Sequence, residues 1–227
     1  MQLTKNKIHV YFCDMQQLSM TDKSLLELLN ESDQARFQAF KNKSRQRQFA
    51  IARWLVKQAL NEQFNIDIAH DYYLHEFRLW QIKATGSNFP VSISHSGDMV
   101  AVALASSPCA IGIDIEKHKK RNFQALLQVF STEQEQAFIS NGGDTSRLFY
   151  RLWTAKEAFF KVTQFANDLV YKQEMNQCMT QSLATVAGFH SQSGELEKGA
   201  YSFCVMTDNA AVIPVEFIKL PKPSVEP

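Results

Sequence analysis

At 227 residues and 25.9 kDa, with 45% hydrophobic residues, the chain is long enough to bury a large core, as one domain or two small ones. A formal net charge of +1 argues against a general nucleic-acid binder, and no apolar run approaches the roughly 18 residues of a membrane span. Met1 to Lys7 has no signal-peptide pattern, Cys13, Cys109, Cys178 and Cys204 form no C-x-x-C pair, and the six His show no zinc spacing, so a cytoplasmic protein with reduced thiols is expected. In chain order, Ile8 to Phe12 predicts a first strand, and helical patterns follow over about 21–30, 32–40 and 43–61. In the last of these Phe49, Ala52, Val56 and Ala59 recur at helical spacing. Ser92 to Ser94 and Met99 to Ala105 read as strands joined by the turn His95-Ser96-Gly97-Asp98. Ser107-Pro108 breaks the chain before a third strand, Ile111 to Glu116.

The polar run Lys117 to Asn122 leads into a helix ending near Phe130, and Ser131-Thr132-Glu133-Gln134 reads as a capping box for the next helix. After the loop Asn141 to Asp144, a long helix is expected over about 145–165. Tyr201 to Met206 and Ala211 to Ile218 predict C-terminal strands, and 221–227 predicts a disordered tail. The reading is α+β, in two similar halves with a pseudo-twofold relation: 1–108, and 109–220 as the catalytic half. The active site would lie in the cleft between them.

Asp114 and Glu116 sit two apart in Ile111-Gly112-Ile113-Asp114-Ile115-Glu116, so on a strand both carboxylates point to one side. A third carboxylate, Glu157, lies between lysines in Trp153-Thr154-Ala155-Lys156-Glu157-Ala158-Phe159-Phe160-Lys161. Three carboxylates with lysine charge beside them would suit Mg²⁺ and a polyphosphate. The bland alternatives are a wet edge strand and an ordinary i, i+4 Glu–Lys helix pair. Arg36, Lys41, Lys43, Arg45, Arg47, Arg53 and Lys57 make seven positive charges with no acid between Asp33 and Glu62. They are a solvated helix face or a phosphate-binding wall. Ser94-His95-Ser96 is not read as a hydrolase pair, because neighbours on a strand point oppositely and no G-x-S-x-G elbow is present. It is a hydrogen-bonded turn or an anion-binding one.

Together, Val91 to Ser96, the Ile111 to Glu116 strand and the Trp153 to Lys161 helix resemble the 4′-phosphopantetheinyl transferases, closest to the two-half, surfactin-synthetase-activator type. Those families share an S-H-S turn, a G-I-D-I-E strand and a W-x-x-K-E-A-x-x-K helix, and Phe130-Ser131 and the basic helix near 36–57 extend the likeness over most of 33–161. The resemblance implies transfer of phosphopantetheine from coenzyme A to a serine of an acyl or peptidyl carrier protein, releasing adenosine 3′,5′-bisphosphate. It implies Asp114, Glu116 and Glu157 as Mg²⁺ ligands, Glu157, Lys161 and Lys156 as catalytic, and Ser94, His95, Arg36 and Arg47 on the nucleotide end of coenzyme A. It implies a monomer with neither membrane nor nucleic-acid partner.

Two segments depart from that pattern. The family's Gly-Lys-Pro segment is replaced by Phe77 to Lys83, where Arg78 or Lys83 would supply the charge, and its G-x-G-L run by Val162 to Leu169. Rival readings are a Mg²⁺-dependent phosphohydrolase and a non-catalytic coenzyme A- or carrier-binding module.

Overall fold

Strand alternation decides how this chain layers. β5 (Met99–Ala105) is buried along its whole length, with Val100, Val102 and Leu104 on one face and Met99, Ala101, Ala103 and Ala105 on the other. Burial on both faces marks a central strand. The computed structural model, which describes residues 7–66, 72–74, 79–82, 88–163, 170–209 and 216–219, puts it between β1 (Ile8–Asp14) and β4 (Asn88–Ser96). With β2 (Tyr72–Leu74), β3 (Leu79–Ile82) and β10 (Glu216–Lys219) they form a six-stranded sheet, ordered β10-β1-β5-β4-β3-β2. It is antiparallel except where β10 runs parallel to β1. The expected β4–β5 hairpin is present, but β4 extends through Ser96. Ser96 opposite Met99 leaves a two-residue loop, Gly97-Asp98, with Gly97 at φ +57°.

Three helices cover the Val/Leu face: α1 (Asp22–Glu27), α2 (Glu31–Ala39) and α3 (Lys43–Phe64). Their N-cap side chains, Thr21, Asn30 and Asn42, accept the backbone N–H of Ser24, Asp33 and Arg45.

The second sheet runs β6-β9-β8-β7, from β6 (Ile111–Lys117), β7 (Leu183–Val186), β8 (Phe189–Leu196) and β9 (Tyr201–Thr207). Helices α4 (Phe123–Phe130), α5 (Glu133–Asn141), α6 (Thr145–Val162) and α7 (Asn176–Thr180) pack on its outer side. The capping box of α5 lies one residue beyond its expected place, on Thr132 and Glu135. The inner side, with Ile111, Ile113, Ile115, Tyr201, Phe203 and Val205, packs on the alanine face of β5 and on Ile8, Val10 and Phe12. The fold is α+β, as expected: helices, sheet, sheet, helices. The tail and most of Ala211 to Ile218 lie outside the described residues, apart from β10.

Gly112 is what lets α6 approach β6. A Cβ there would stand 2.2 Å from the Ala158 carbonyl oxygen and 2.9 Å from the Val162 nitrogen, both helix backbone. Gly112→Ala is therefore expected to lower unfolding free energy by about 1–3 kcal/mol, the usual range for overpacking. Denaturant titration measures it, and an unchanged midpoint would contradict this account of the strand–helix contact.

Candidate active site

β6 is an edge strand of its own sheet, so alternate backbone N–H groups face away from β9. They meet serines. Ser92 Oγ accepts Ile113 N–H at 3.0 Å, Ser94 Oγ accepts Ile115 N–H at 3.3 Å, and Ser96 Oγ accepts Lys117 N–H at 3.1 Å. Two of these hydroxyls then donate to the acidic pair: Ser94 to Asp114 Oδ1 and Ser96 to Glu116 Oε2, each at 2.7 Å. Lys161, on α6, donates to Asp114 Oδ1 at 2.8 Å and to the Ile113 carbonyl at 2.7 Å.

Asp114 is 4% exposed, and its second oxygen, Oδ2, is buried with no hydrogen-bond partner among the described residues. A buried carboxylate oxygen without a partner is costly unless a cation or donor arrives. Burial pushes the Glu116 carboxyl above its ordinary value, Ser96 pulls it down, the Asp114 charge raises it, and Arg121 and Lys161 lower it. Glu157 is half-buried, one turn before Lys161 on the same face of α6. Among the described residues no three His, Cys, Asp or Glu side chains form a ready metal cage. What the structure brings together is Asp114, Lys161 and Ser94, with Glu116 and Ser96 beside them.

The other face of β4 borders a cavity of about 270 Å³, lined by Val91, Ile93 and His95 from β4 and by Arg36, Phe40, Arg45, Phe49, Ala52 and Arg53. Arg45, Phe49, Ala52 and Arg53 follow the i, i+4, i+7, i+8 rhythm of one helix face. Arg36 and Arg53 stack on Phe49, 5.3 and 4.6 Å from its centroid. Arg53 also donates to buried Asp33 Oδ2 at 3.1 Å. Arg45 Nη1 stands 3.0 Å from His95 Nδ1. Burial first, then the Arg45 charge and more weakly that of Lys161, push the His95 imidazole down to about 4. A neutral histidine among guanidiniums suits a phosphate or other anion.

The expected residues divide accordingly. Arg36 and His95 line the cavity, whereas Ser94 faces β6. Arg47 points elsewhere, donating to the Met20 carbonyl at 3.0 Å with Asp22 at 3.7 Å. Arg78 and Lys83 lie outside the described residues. Lys156 is not brought to Asp114: its ammonium meets Glu135 Oε2 at 2.8 Å and the Gln173 and Tyr171 carbonyls at 3.0 and 3.1 Å. Burial pushes that ammonium below its ordinary value, and Glu135 opposes the shift. Arg45, one of the seven charges of the basic run, shares a helix face with Phe49 and Arg53 and so joins Arg36 at the cavity. Nothing in the sequence marks Ser96 as the partner of Glu116.

Residues 110–213, which contain β6, α6 and the acidic pair, match the family model of the 4′-phosphopantetheinyl transferase superfamily. Over that span the chain is similar to the 4′-phosphopantetheinyl transferases. It is 41% identical over 71 residues to the transferase Sfp of Bacillus subtilis, covering 31% of each chain. It is 36% identical over 77 residues to a transferase of Bacillus pumilus, covering 34% of this chain and 32% of that one. A second Bacillus subtilis transferase is 26% identical over 157 residues, covering 68% and 69%. The first of these alignments span about a third of the relatives' length.

The His95 environment sets a pH dependence. Its ordinary value is 6.5 and its folded value about 4, so between them the unfolded chain binds a proton that the folded protein does not. The stability linked to this group is therefore full above 6.5 and lost as pH falls toward 4. His95→Gln is expected to flatten the fall in unfolding free energy over that window. Parallel denaturant titrations of both proteins check it, and identical slopes would contradict the assigned environment.

Proposed function

We propose that this protein transfers the 4′-phosphopantetheine arm of coenzyme A to a serine of an apo acyl or peptidyl carrier protein, releasing adenosine 3′,5′-bisphosphate. The serine oxygen bonds to the pantetheine-bearing phosphorus of the pyrophosphate. The bond from that phosphorus to the bridging oxygen breaks, the serine proton passes to a base, and the bridging oxygen leaves on the bisphosphate. One observation carries the reading. Asp114 holds Lys161 through Oδ1 and leaves a buried Oδ2 open, on a strand joined to β4, whose other face lines an arginine cavity.

That open oxygen and the hard donor set fit Mg²⁺, which Asp114, Glu116 and Glu157 would hold and which, when bound, neutralises pyrophosphate charge. Arg36, Arg45 and His95 bind the nucleotide phosphates. Lys161 stabilises charge on the departing phosphate, and Glu157 accepts the serine proton. The site occupies a cleft between pseudo-twofold halves divided near Pro108, the C-terminal half returning β10 to the first sheet. With both halves in one chain the protein acts as a monomer. No helix among the described residues is long and apolar enough to cross a membrane.

Incubation with coenzyme A, Mg²⁺ and an apo carrier, followed by mass spectrometry of the carrier, is expected to show the added phosphopantetheine. Cleavage of coenzyme A with an unmodified carrier would replace this reading with hydrolysis, and binding without turnover with a non-catalytic module. Glu157→Gln is expected to slow transfer roughly 10²- to 10⁴-fold, the range for a lost general base. Normal rates in that variant would remove the role given to Glu157.

A further inference from the structure

Three serines at alternate positions of β4 take the place that a neighbouring strand would fill beside β6, but their hydroxyls are not equivalent. Each accepts one β6 amide. Ser92 faces a register position where β6 has Gly112 and no side chain, so no β6 carboxylate is within its pattern. Ser96 uses both capacities of its hydroxyl, accepting Lys117 N–H at 3.1 Å and donating to Glu116 Oε2 at 2.7 Å. A hydroxyl has one proton. With its oxygen fixed by a backbone amide, that proton has a fixed direction, toward the carboxylate. Glu116 is only half-buried and has a long, rotatable side chain, so without such a donor it would sample several rotamers.

We propose that Ser96 is a positioning residue that holds the Glu116 carboxylate beside Asp114, ready for a divalent cation, while Ser92 serves the strand seam alone. This inference rests on the site reading above. Outer hydrogen bonds to metal ligands are commonly worth 10- to 100-fold in metal affinity. The same loss is therefore the expected size here.

The test uses the full chain in wild-type, Ser96→Ala, Ser96→Thr and Ser92→Ala forms. Mg²⁺ is titrated calorimetrically in the presence of coenzyme A, and thermal unfolding is followed alongside. Ser96→Ala is expected to weaken Mg²⁺ affinity roughly 10- to 100-fold, and Ser96→Thr, which keeps the hydroxyl, to restore most of it. Ser92→Ala is expected to lower the melting temperature with Mg²⁺ affinity unchanged. In carrier-modification kinetics, Ser96→Ala should raise the Mg²⁺ concentration for half-maximal rate more than it lowers the rate at saturating Mg²⁺. Equal metal affinity in Ser96→Ala and wild type overturns the inference, as does an equal loss in Ser92→Ala and Ser96→Ala. A wild-type protein that binds no Mg²⁺ overturns the site reading itself, and the inference with it.

Discussion

The two-residue period of β4 is the constraint on which the rest depends. Its odd positions, Val91, Ile93 and His95, turn toward α3 and the arginines, and its even positions, Ser92, Ser94 and Ser96, turn toward β6. One strand thus separates a basic cavity from an acidic pair by a single layer of backbone. Lys161 acts electrostatically on both His95 and Glu116, so the two sides are close enough to be felt together. A one-residue slip of β4 would send the serines into the cavity and His95 into the seam. The Gly97-Asp98 loop and the Ser96–Met99 pairing fix that register.

Helix geometry sorts the charges of α6 in the same manner. Glu157 and Lys161 are four residues apart and share a face, whereas Lys156 and Lys161, five apart, diverge by about 140° at 3.6 residues per turn. Lys161 reaches Asp114, and Lys156 instead closes a buried ion pair with Glu135. Glu135 also accepts the Thr132 and Met175 amides, so this second pair ties α5, α6 and the segment before α7 together. Losing either partner of such a buried pair strands a charge, which makes its contribution architectural.

Much of this was legible in the sequence. The strands β1, β5, β6 and β9 and the helices α3 and α6 follow from short apolar runs and helical spacing, and the D-x-E spacing put Asp114 and Glu116 on one side of a strand. The same arithmetic, applied to the basic run, separates Arg45 and Arg53 from Arg47 and would have divided Lys156 from Lys161. Other features depend on tertiary contact. β8 carries His, Ser, Gln and Gly, and β7 is only Leu183 to Val186, so strand periodicity is weak in both. The serine seam exists only because the edge of one sheet lies on the face of the other, and no local pattern records which face.

The central claim is that the basic cavity and the acidic seam serve one ligand. Calorimetric titration of coenzyme A into the protein, with and without Mg²⁺, tests it most directly. The account predicts that Mg²⁺ tightens coenzyme A binding in the wild type and that this coupling disappears in Asp114→Asn. Coenzyme A affinity indifferent to Mg²⁺ in the wild type would contradict it.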